Sequence, residues 1–329
     1  MKRNIAVIAG GYSSEVEVSY KSAKGIQSFL NKEIYNVYIA LLTREEWVIL
    51  LADDRKATID KNNFSFRDES GELVQIDFAY ITIHGTPGED GKLQGYFDML
   101  QIPYSGCGVY AASLTFNKYA CVHYLKGFGV KVSDSQLVKR GERINDEEVV
   151  NRLGLPLFVK PIDGGSSFGV TKVKRQEELQ PAIEKAFSEG EEVMIERFIA
   201  GREVTCGTYR TKRGRVVLPL TEVVTPNEFF DYEAKYNGQS DEITPAPIPE
   251  AWAETIRQTT TMIYDLIGAK GLIRADYIVT PEGEPLLLEV NTTPGMTPAS
   301  FIPQQVRAAG LQITEVLTEI IENEFFNQV

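Results

Sequence analysis

Apolar residues recur along this chain in short runs of strand length, separated by polar stretches with helical periodicity. The amphipathic stretch 16–30 is one predicted helix, and strands alternating with such helices favour an α/β fold with a mainly parallel sheet. Ligands of such sheets gather at the carboxyl ends of strands, where glycine-rich segments lie at 10–11 and 84–91. The predicted strands of this first region are 4–9, 35–42 and 76–82.

A second region begins near residue 115 and contains another glycine-rich segment, 163–169, between two predicted strands. Its backbone N–H groups are suited to wrapping a triphosphate, with Lys160 supplying positive charge. The segment is not a Walker A loop, because it lacks GxxxxGK[ST] and joins two strands. Alone it is equally compatible with a flexible turn. The elements predicted here are helices at 117–128 and 146–153 and strands at 155–160 and 170–173.

The third region combines predicted strands near 204–209 and 216–223 with a long irregular stretch, 225–249. Loops of this length are uncommon in compact domains unless they are functional. Aromatic and charged residues alternate in Phe-Phe-Asp-Tyr-Glu-Ala-Lys-Tyr at 229–236, so we interpret the stretch as a lid over a ligand. The apolar stripes at 252–266 and 313–321 predict helices that face the core.

Polar residues converge in a predicted hairpin near the end of the chain. Because strand side chains alternate between faces, Arg274 projects with Asp276 and Glu289 projects with Asn291, and the turn at 281–285 allows both pairs to share one surface. Two carboxylates and an amide oxygen suit Mg²⁺ shared with phosphate groups. The alternative is the solvent face of an amphipathic hairpin, but the apolar neighbours favour a metal and ATP site.

Composition limits the classes of function. A chain of 329 residues accommodates about two or three domains with buried cores. Its net charge of -12 argues against general nucleic-acid binding. The three cysteines, Cys107, Cys121 and Cys206, lack CxxC spacing and predict neither disulfides nor a thiolate metal site, which fits a reducing cytoplasm. We recognise neither a secretory signal nor a stretch long enough to cross a membrane.

The order and spacing of these segments resemble the ATP-grasp superfamily and, within it, the D-alanine:D-alanine ligase family. The resemblance implies an α/β ATP-grasp fold, with an N-terminal parallel-sheet domain at 1–115 and two α+β subdomains, 116–200 and 201–329, that clamp ATP. The segments that carry the resemblance are 10–19, 84–95, 105–118, 160–169, 196–203, 230–236, 274–276 and 289–297.

The resemblance also implies an activity. ATP phosphorylates the carboxylate of one D-alanine, and the amino group of a second D-alanine attacks the resulting acyl phosphate, giving the dipeptide used for peptidoglycan precursors. Two Mg²⁺ ions, with Mn²⁺ as an alternative, accompany ATP. A cytoplasmic homodimer that binds no nucleic acid or membrane is implied as well.

Family residues carry over to matching positions of this chain. Metal ligands are implied at Asp276, Glu289 and Asn291. The catalytic set is Glu15, Ser166, Tyr236, Arg274 and Gly295, in which Ser166 and Tyr236 close the site through Glu15. The substrate-binding set is Glu15, His84, Arg274, Gly295 and Ser300. The nucleotide-binding set is Lys118, Lys160, Ser166, Ser167, Glu196, Arg197, Ile199, Glu203 and Lys235.

One departure and three alternatives qualify these implications. Arg197 stands where the family often has lysine, and its rigid fork does not simply replace an ammonium, which puts the adjoining adenine contacts in doubt. A D-alanine:D-lactate or D-serine ligase is the nearest alternative, and Tyr236 argues against D-lactate. A biotin-dependent carboxylase would need further domains, and a non-catalytic nucleotide-binding protein would not need Arg274 beside a metal set.

Overall fold

The computed structural model of the chain describes residues 2–165, 168–225 and 241–326. Two short 3₁₀ turns accompany its helices. The helices are α1 (Val16–Phe29), α2 (Lys92–Leu100), α3 (Val109–Phe116), α4 (Lys118–Lys126), α5 (Asp146–Leu153), α6 (Leu179–Ala186), α7 (Glu250–Leu266), α8 (Phe301–Ala308) and α9 (Ile313–Phe326). The strands are β1 (Arg3–Gly10), β2 (Tyr35–Leu42), β3 (Trp47–Leu50), β4 (Lys56–Thr58), β5 (Ser65–Arg67), β6 (Leu73–Gln75), β7 (Phe78–Ile81), β8 (Ser135–Lys139), β9 (Leu157–Pro161), β10 (Thr171–Val173), β11 (Glu192–Arg197), β12 (Arg202–Thr211), β13 (Gly214–Val217), β14 (Thr221–Val224), β15 (Asp241–Ile243), β16 (Leu272–Val279) and β17 (Pro285–Asn291).

The first sheet has the strand order β4-β3-β2-β1-β7. Its centre is parallel, because β1 pairs in parallel with β2 and β7, while β3 and β4 add antiparallel pairs at one edge. The apolar sequence of β1 is buried on both faces, as expected for the centre of a parallel sheet. At its carboxyl end Gly10 has φ +104°, and a Cβ there would lie 2.4 Å from the Leu42 carbonyl oxygen, so glycine is required at this turn.

The second sheet is antiparallel, with the strand order β10-β9-β11-β8. Helices α5 and α6 cover one of its faces through buried apolar side chains that include Leu153 and Ile183. Alternation along β9 and β11 therefore directs Lys160 and Glu196 away from this small core. The opposite face packs partly on α4, through Met194 and Val122, and otherwise borders the cleft.

The third sheet has the strand order β15-β14-β12-β16-β17, and β13 pairs with the far end of β12. Helix α7 packs on one face through Ile256 and Ile263. Helix α8 lies on the other face at Gly207, where a Cβ would come within 2.5 Å of the Gln305 side-chain oxygen. Apolar residues of α8 and α9 also join the core under β1, so the end of the chain packs against the first sheet.

Two sequence predictions for the third region have different outcomes. The single strand predicted at 216–223 is wrong: β13 pairs with the second half of β12, β14 pairs with its first half, and Leu218 and Leu220 are buried between them. Most of the predicted lid lies outside the described residues, at 226–240, and its later part contains β15. Within the described ranges, none of the helices has the length and apolarity needed to cross a bilayer.

Candidate functional site

A cleft of about 1220 Å³ lies where the three sheets meet, and it collects the predicted site. Every predicted site residue that the structure describes lines it. These residues are Glu15, His84, Lys118, Lys160, Glu196, Arg197, Ile199, Glu203, Arg274, Asp276, Glu289, Asn291, Gly295 and Ser300. The remaining predicted residues, Ser166, Ser167, Lys235 and Tyr236, lie outside the described part of the chain.

The β16–β17 hairpin brings the four predicted polar residues together. Arg274 pairs with Asn291 and Asp276 pairs with Glu289 in the antiparallel register, so their side chains share one face. Asp276 accepts hydrogen bonds from Arg274 Nε at 2.8 Å and Nη2 at 2.7 Å, and from Thr205 Oγ1 at 2.6 Å. The amide of Asn291 donates to the same carboxylate at 3.0 Å. This face therefore holds an oxygen-rich group of side chains around a guanidinium.

A lysine from a neighbouring element balances the second carboxylate. Lys118 Nζ lies 3.3 Å from Glu289 Oε2 and donates to the Gly164 carbonyl at 2.6 Å. Burial lowers the pKa of Lys118, but nearby carboxylates, Glu289 foremost, outweigh burial and leave it raised. Lys118 is thus cationic and stands between the hairpin and the glycine-rich segment.

The donor set of the hairpin fits a hard divalent cation that is shared with a ligand. Among the described residues no group of three histidine, cysteine, aspartate or glutamate side chains is placed to enclose a metal by itself. Asp276, Glu289 and Asn291 supply only oxygen donors, which suits Mg²⁺ when phosphate oxygens and water complete its octahedron.

The second sheet supplies a charged pair on its cleft face. Lys160 Nζ donates to Glu196 Oε2 at 2.7 Å, and both side chains are almost fully buried. Glu196 Oε1 is buried and accepts no hydrogen bond from any residue that the structure describes. A buried acceptor without a partner is costly, so this oxygen is suited to a ligand amino group.

The first sheet contributes His84 and Glu15. Burial and the nearby Arg274 lower the pKa of His84 against the opposing effect of Glu15, so its imidazole is neutral at neutral pH. Its Nε2 is buried and has no hydrogen-bond partner within the described ranges, and its backbone carbonyl accepts from Ser13 Oγ at 2.8 Å. A Cβ on Gly165 would lie 2.6 Å from Glu15 Oε2, so the glycine-rich segment closely approaches this carboxylate.

The turn before α8 closes the far end of the cleft. Ser300 precedes the helix, and its Oγ accepts from the Thr297 N–H at 3.1 Å. A Cβ on Gly295 would lie 3.1 Å from the same oxygen, so the turn is tight. The start of a helix favours an anionic group, which makes this end suitable for a carboxylate.

Glu89 is among the carboxylates of the cleft that sequence reasoning missed. Its Oε2 accepts from the Gly85 N–H at 2.7 Å, which holds the loop that carries His84. Burial, with smaller effects of Glu15 and Glu289, raises the pKa of Glu89 to about 8 against the Gly85 N–H and Lys118. The signal was present, because the predicted ligand loop 84–91 contains this glutamate.

We expect Glu89→Gln to change how stability depends on pH. The raised pKa means that the folded state keeps a proton that the unfolded state loses above about pH 4.5. The protonated Glu89 therefore contributes fully to the free energy of unfolding below that pH, and this contribution is lost as the pH rises through about 8. In thermal unfolding without metal or nucleotide, the melting temperature of the variant relative to wild type should rise between about pH 5 and pH 8. A difference that stays constant, as expected for the exposed control Glu282→Gln, would contradict the assignment.

The sequence matches two family models and closely resembles known proteins. The family model described as D-ala D-ala ligase N-terminus matches residues 4–107, and that described as D-ala D-ala ligase C-terminus matches residues 124–322. A D-alanine--D-alanine ligase of Parabacteroides distasonis is 63% identical, with 100% of this chain and 99% of that protein covered.

Solved structures agree in fold. The D-alanine--D-alanine ligase of Bacillus anthracis, complexed with ATP, has a TM-score of 0.78 at 30% identity, with 98% of this chain and 97% of that chain covered. A D-Ala:D-Ser ligase of Enterococcus faecalis has a TM-score of 0.84 at 31% identity, with 98% and 100% covered.

Proposed function

The chain belongs to the D-alanine--D-alanine ligase family and is an ATP-dependent ligase that joins two D-alanines for cell-wall synthesis, and we propose that its cleft does so through a D-alanyl phosphate. The observation that carries the proposal is the hairpin register, which sets Arg274, Asp276, Glu289 and Asn291 on one face of the cleft. The predicted ATP-grasp fold is confirmed by the structural neighbours.

In the first step, a carboxylate oxygen of the first D-alanine attacks the γ-phosphorus of ATP, and ADP leaves. Lys118 and Lys160 are the cations that we assign to the phosphates, because both ammonium groups line the cleft beside the glycine-rich segment. Glu15 is assigned to the ammonium group of this D-alanine, and the neutral His84 to its carboxylate end.

Asp276, Glu289 and Asn291 are assigned to two Mg²⁺ ions, with Mn²⁺ as an alternative. Their oxygen-only donor set supports this assignment. When bound, the ions supply charge neutralisation for the transferring phosphate. Lys118 and Arg274 form ion pairs with the two carboxylates, which stabilises these close acidic groups in one cleft.

Glu196 is assigned to the adenine amino group. No described residue donates to its buried Oε1, whereas Oε2 accepts from Lys160, so one oxygen is fixed and the other is oriented for a ligand. An amino group at the base edge would satisfy it, and a carbonyl would not. Arg197 and Ile199 also line the cleft, and Glu203 lines it from β12, the next strand along the chain, where it is suited to ribose hydroxyls.

In the second step, the amino nitrogen of the second D-alanine attacks the acyl phosphate carbon, and phosphate leaves with the oxygen it received. Arg274 and the Gly295 N–H are assigned to the developing oxyanion. Ser300 and the first N–H groups of α8 are assigned to the carboxylate of the second D-alanine. Exclusion of water by the cleft would protect the acyl phosphate from hydrolysis.

Further assignments rest on the family resemblance. We propose Ser166 and Tyr236 as residues that close the site through Glu15, and Ser167 and Lys235 as phosphate contacts. We propose the domain boundaries 1–115, 116–200 and 201–329, each of which contains one large sheet. A cytoplasmic homodimer is the state that we infer for the protein.

Isotope transfer tests the proposed intermediate. D-alanine with heavy oxygen in its carboxylate should deliver one heavy oxygen to each released phosphate, because that oxygen forms the acyl phosphate bond. Phosphate can be examined by mass spectrometry, and labelled ADP should be absent. Dipeptide formed with unlabelled phosphate would exclude the D-alanyl phosphate route.

A further inference from the structure

Glu242 lies on the same face of the third sheet as the predicted metal ligands. In the strand register Glu242 is opposite Val223, and Val223 is opposite Glu203. The adjacent row runs from Thr205 through Asp276 to Glu289. Glu242 lines the cleft as well, whereas its chain neighbours in β15 are exposed. Strand geometry therefore places a further carboxylate at the edge of the sheet, one row of side chains away from the row that contains Asp276 and Glu289.

Gln304 connects this carboxylate to the turn that carries Ser300. It lies one helical turn after Ser300, and its backbone N–H donates to the Ser300 carbonyl at 3.2 Å. Its side-chain Nε2 donates both to Glu242 Oε2 and, at 2.7 Å, to the carbonyl of Ala299. One amide thus joins β15 to the residue directly before Ser300.

The surroundings of Glu242 also belong to the reaction end of the cleft. Val223, opposite it, packs against Phe301, and the Arg274 guanidinium lies 5.3 Å from the centre of the Phe301 ring. Burial raises the pKa of Glu242, while the Gln304 hydrogen bond and the Arg274 charge oppose this effect. The groups that face this carboxyl are therefore Gln304 from α8 and Arg274 from β16.

We propose that Glu242 and Gln304 act as a pair of positioning residues for the second D-alanine. Glu242 holds the Gln304 amide, which fixes the Ala299 carbonyl and so sets the direction of the Ser300 hydroxyl and the first N–H groups of α8. The inference rests on the proposed function, in which Ser300 and these N–H groups receive the carboxylate of the second substrate. Neither residue needs to touch the reacting atoms for this role.

Separate Michaelis constants distinguish positioning from a general structural role. Initial rates over a wide range of D-alanine concentration give one constant for each D-alanine, and varying ATP gives a third. We expect Glu242→Ala and Gln304→Ala each to raise the constant for the second D-alanine about tenfold, because a hydrogen bond to a charged group is lost. The constants for the first D-alanine and ATP should stay within about twofold.

Four further variants sharpen the test. Glu242→Gln keeps an oxygen that accepts from Gln304, so it should restore the second constant to within about threefold of wild type. The double alanine variant should raise the Michaelis constant for the second D-alanine no more than either single alanine change, because the two residues act through one hydrogen bond. Asp241→Ala alters the exposed neighbour in the same strand and should leave all constants unchanged. If Gln304→Ala unfolds, Gln304→Met fills a similar space without the amide.

Ser300→Ala separates failure of this inference from failure of the proposed function. If Ser300→Ala raises the second constant but the Glu242 and Gln304 variants do not, the positioning pair is overturned and the assignment of the second substrate stands. If Ser300→Ala leaves the constant unchanged, that assignment fails first and the inference fails with it. A parallel rise in all three constants after Gln304→Ala would also overturn the inference, because it would indicate a general loss of structure.

Discussion

Turnover should fall by about a thousandfold or more when Asp276 is replaced by asparagine, with the chain still folded. The carboxylate accepts four hydrogen bonds from Arg274, Thr205 and Asn291, and an asparagine oxygen retains part of this network. The lost negative charge weakens the hold on ions that neutralise the transferring phosphate. Phosphate release with saturating ATP, Mg²⁺ and D-alanine measures the effect.

Glu289→Gln should have a comparable effect for the same reason, and it leaves Lys118 without its charge partner at 3.3 Å. The matched control is Glu284→Gln, because this glutamate lies in the turn of the same hairpin and forms an exposed pair with Lys131 at 3.5 Å. Circular dichroism and the melting temperature verify folding. A folded Asp276→Asn, Glu289→Gln double variant with wild-type turnover would exclude this metal site.

Arg274→Lys should lower kcat by about a hundredfold to a thousandfold, although both side chains are cationic. The guanidinium makes two hydrogen bonds to Asp276, at 2.8 and 2.7 Å, while it packs over the Phe301 ring at 5.3 Å. A lysine ammonium has neither the planar fork nor the reach to reproduce these contacts and face a developing oxyanion. Binding of ATP, measured by calorimetry, should change little.

Arg257→Lys is the control for this substitution, since Arg257 forms ion pairs with Glu250 and Glu254 of its own helix, α7, and is not among the residues that line the cleft. It should retain turnover. Near-normal kcat for Arg274→Lys at saturating D-alanine would remove Arg274 from the oxyanion role and leave it as a partner of Asp276 alone.

The sequence pattern correctly predicted features that depend on residues close together in the chain, such as the limits of a strand and the face on which its side chains lie. The strand predicted at 35–42 has the same limits as β2, and period-two alternation placed Arg274 with Asp276 on the face they occupy. The resemblance added residues from distant segments, such as Glu15 and Glu196, and every described one lines the cleft.

Features that depend on pairing between distant strands escaped prediction. Residues 216–223 are rich enough in valine and leucine to suggest one strand, yet β12 takes different partners along its two halves. The packing of α8 and α9 on the first sheet follows from contacts across most of the chain. Glu242 and Gln304 are likewise far apart in sequence, and only the register of β15 brings them together.

The choice of second substrate depends on a residue outside the described ranges, Tyr236. Ligases of this family that accept D-lactate typically carry a histidine in the corresponding segment, and a histidine is cationic near neutral pH, which disfavours an ammonium. A tyrosine, with an unperturbed pKa near about 10, stays neutral. We therefore expect the amine of D-alanine to be accepted between about pH 6 and pH 8.

The most direct test of D-alanine ligation is the product formed from ATP, Mg²⁺ and an equal mixture of D-alanine and D-lactate. Mass spectrometry should detect D-alanyl-D-alanine and essentially no D-alanyl-D-lactate between about pH 6 and pH 8, with one ADP and one phosphate released per dipeptide. A dominant depsipeptide at about pH 6 would contradict the choice of substrate. ADP release without any dipeptide would contradict the ligase activity itself.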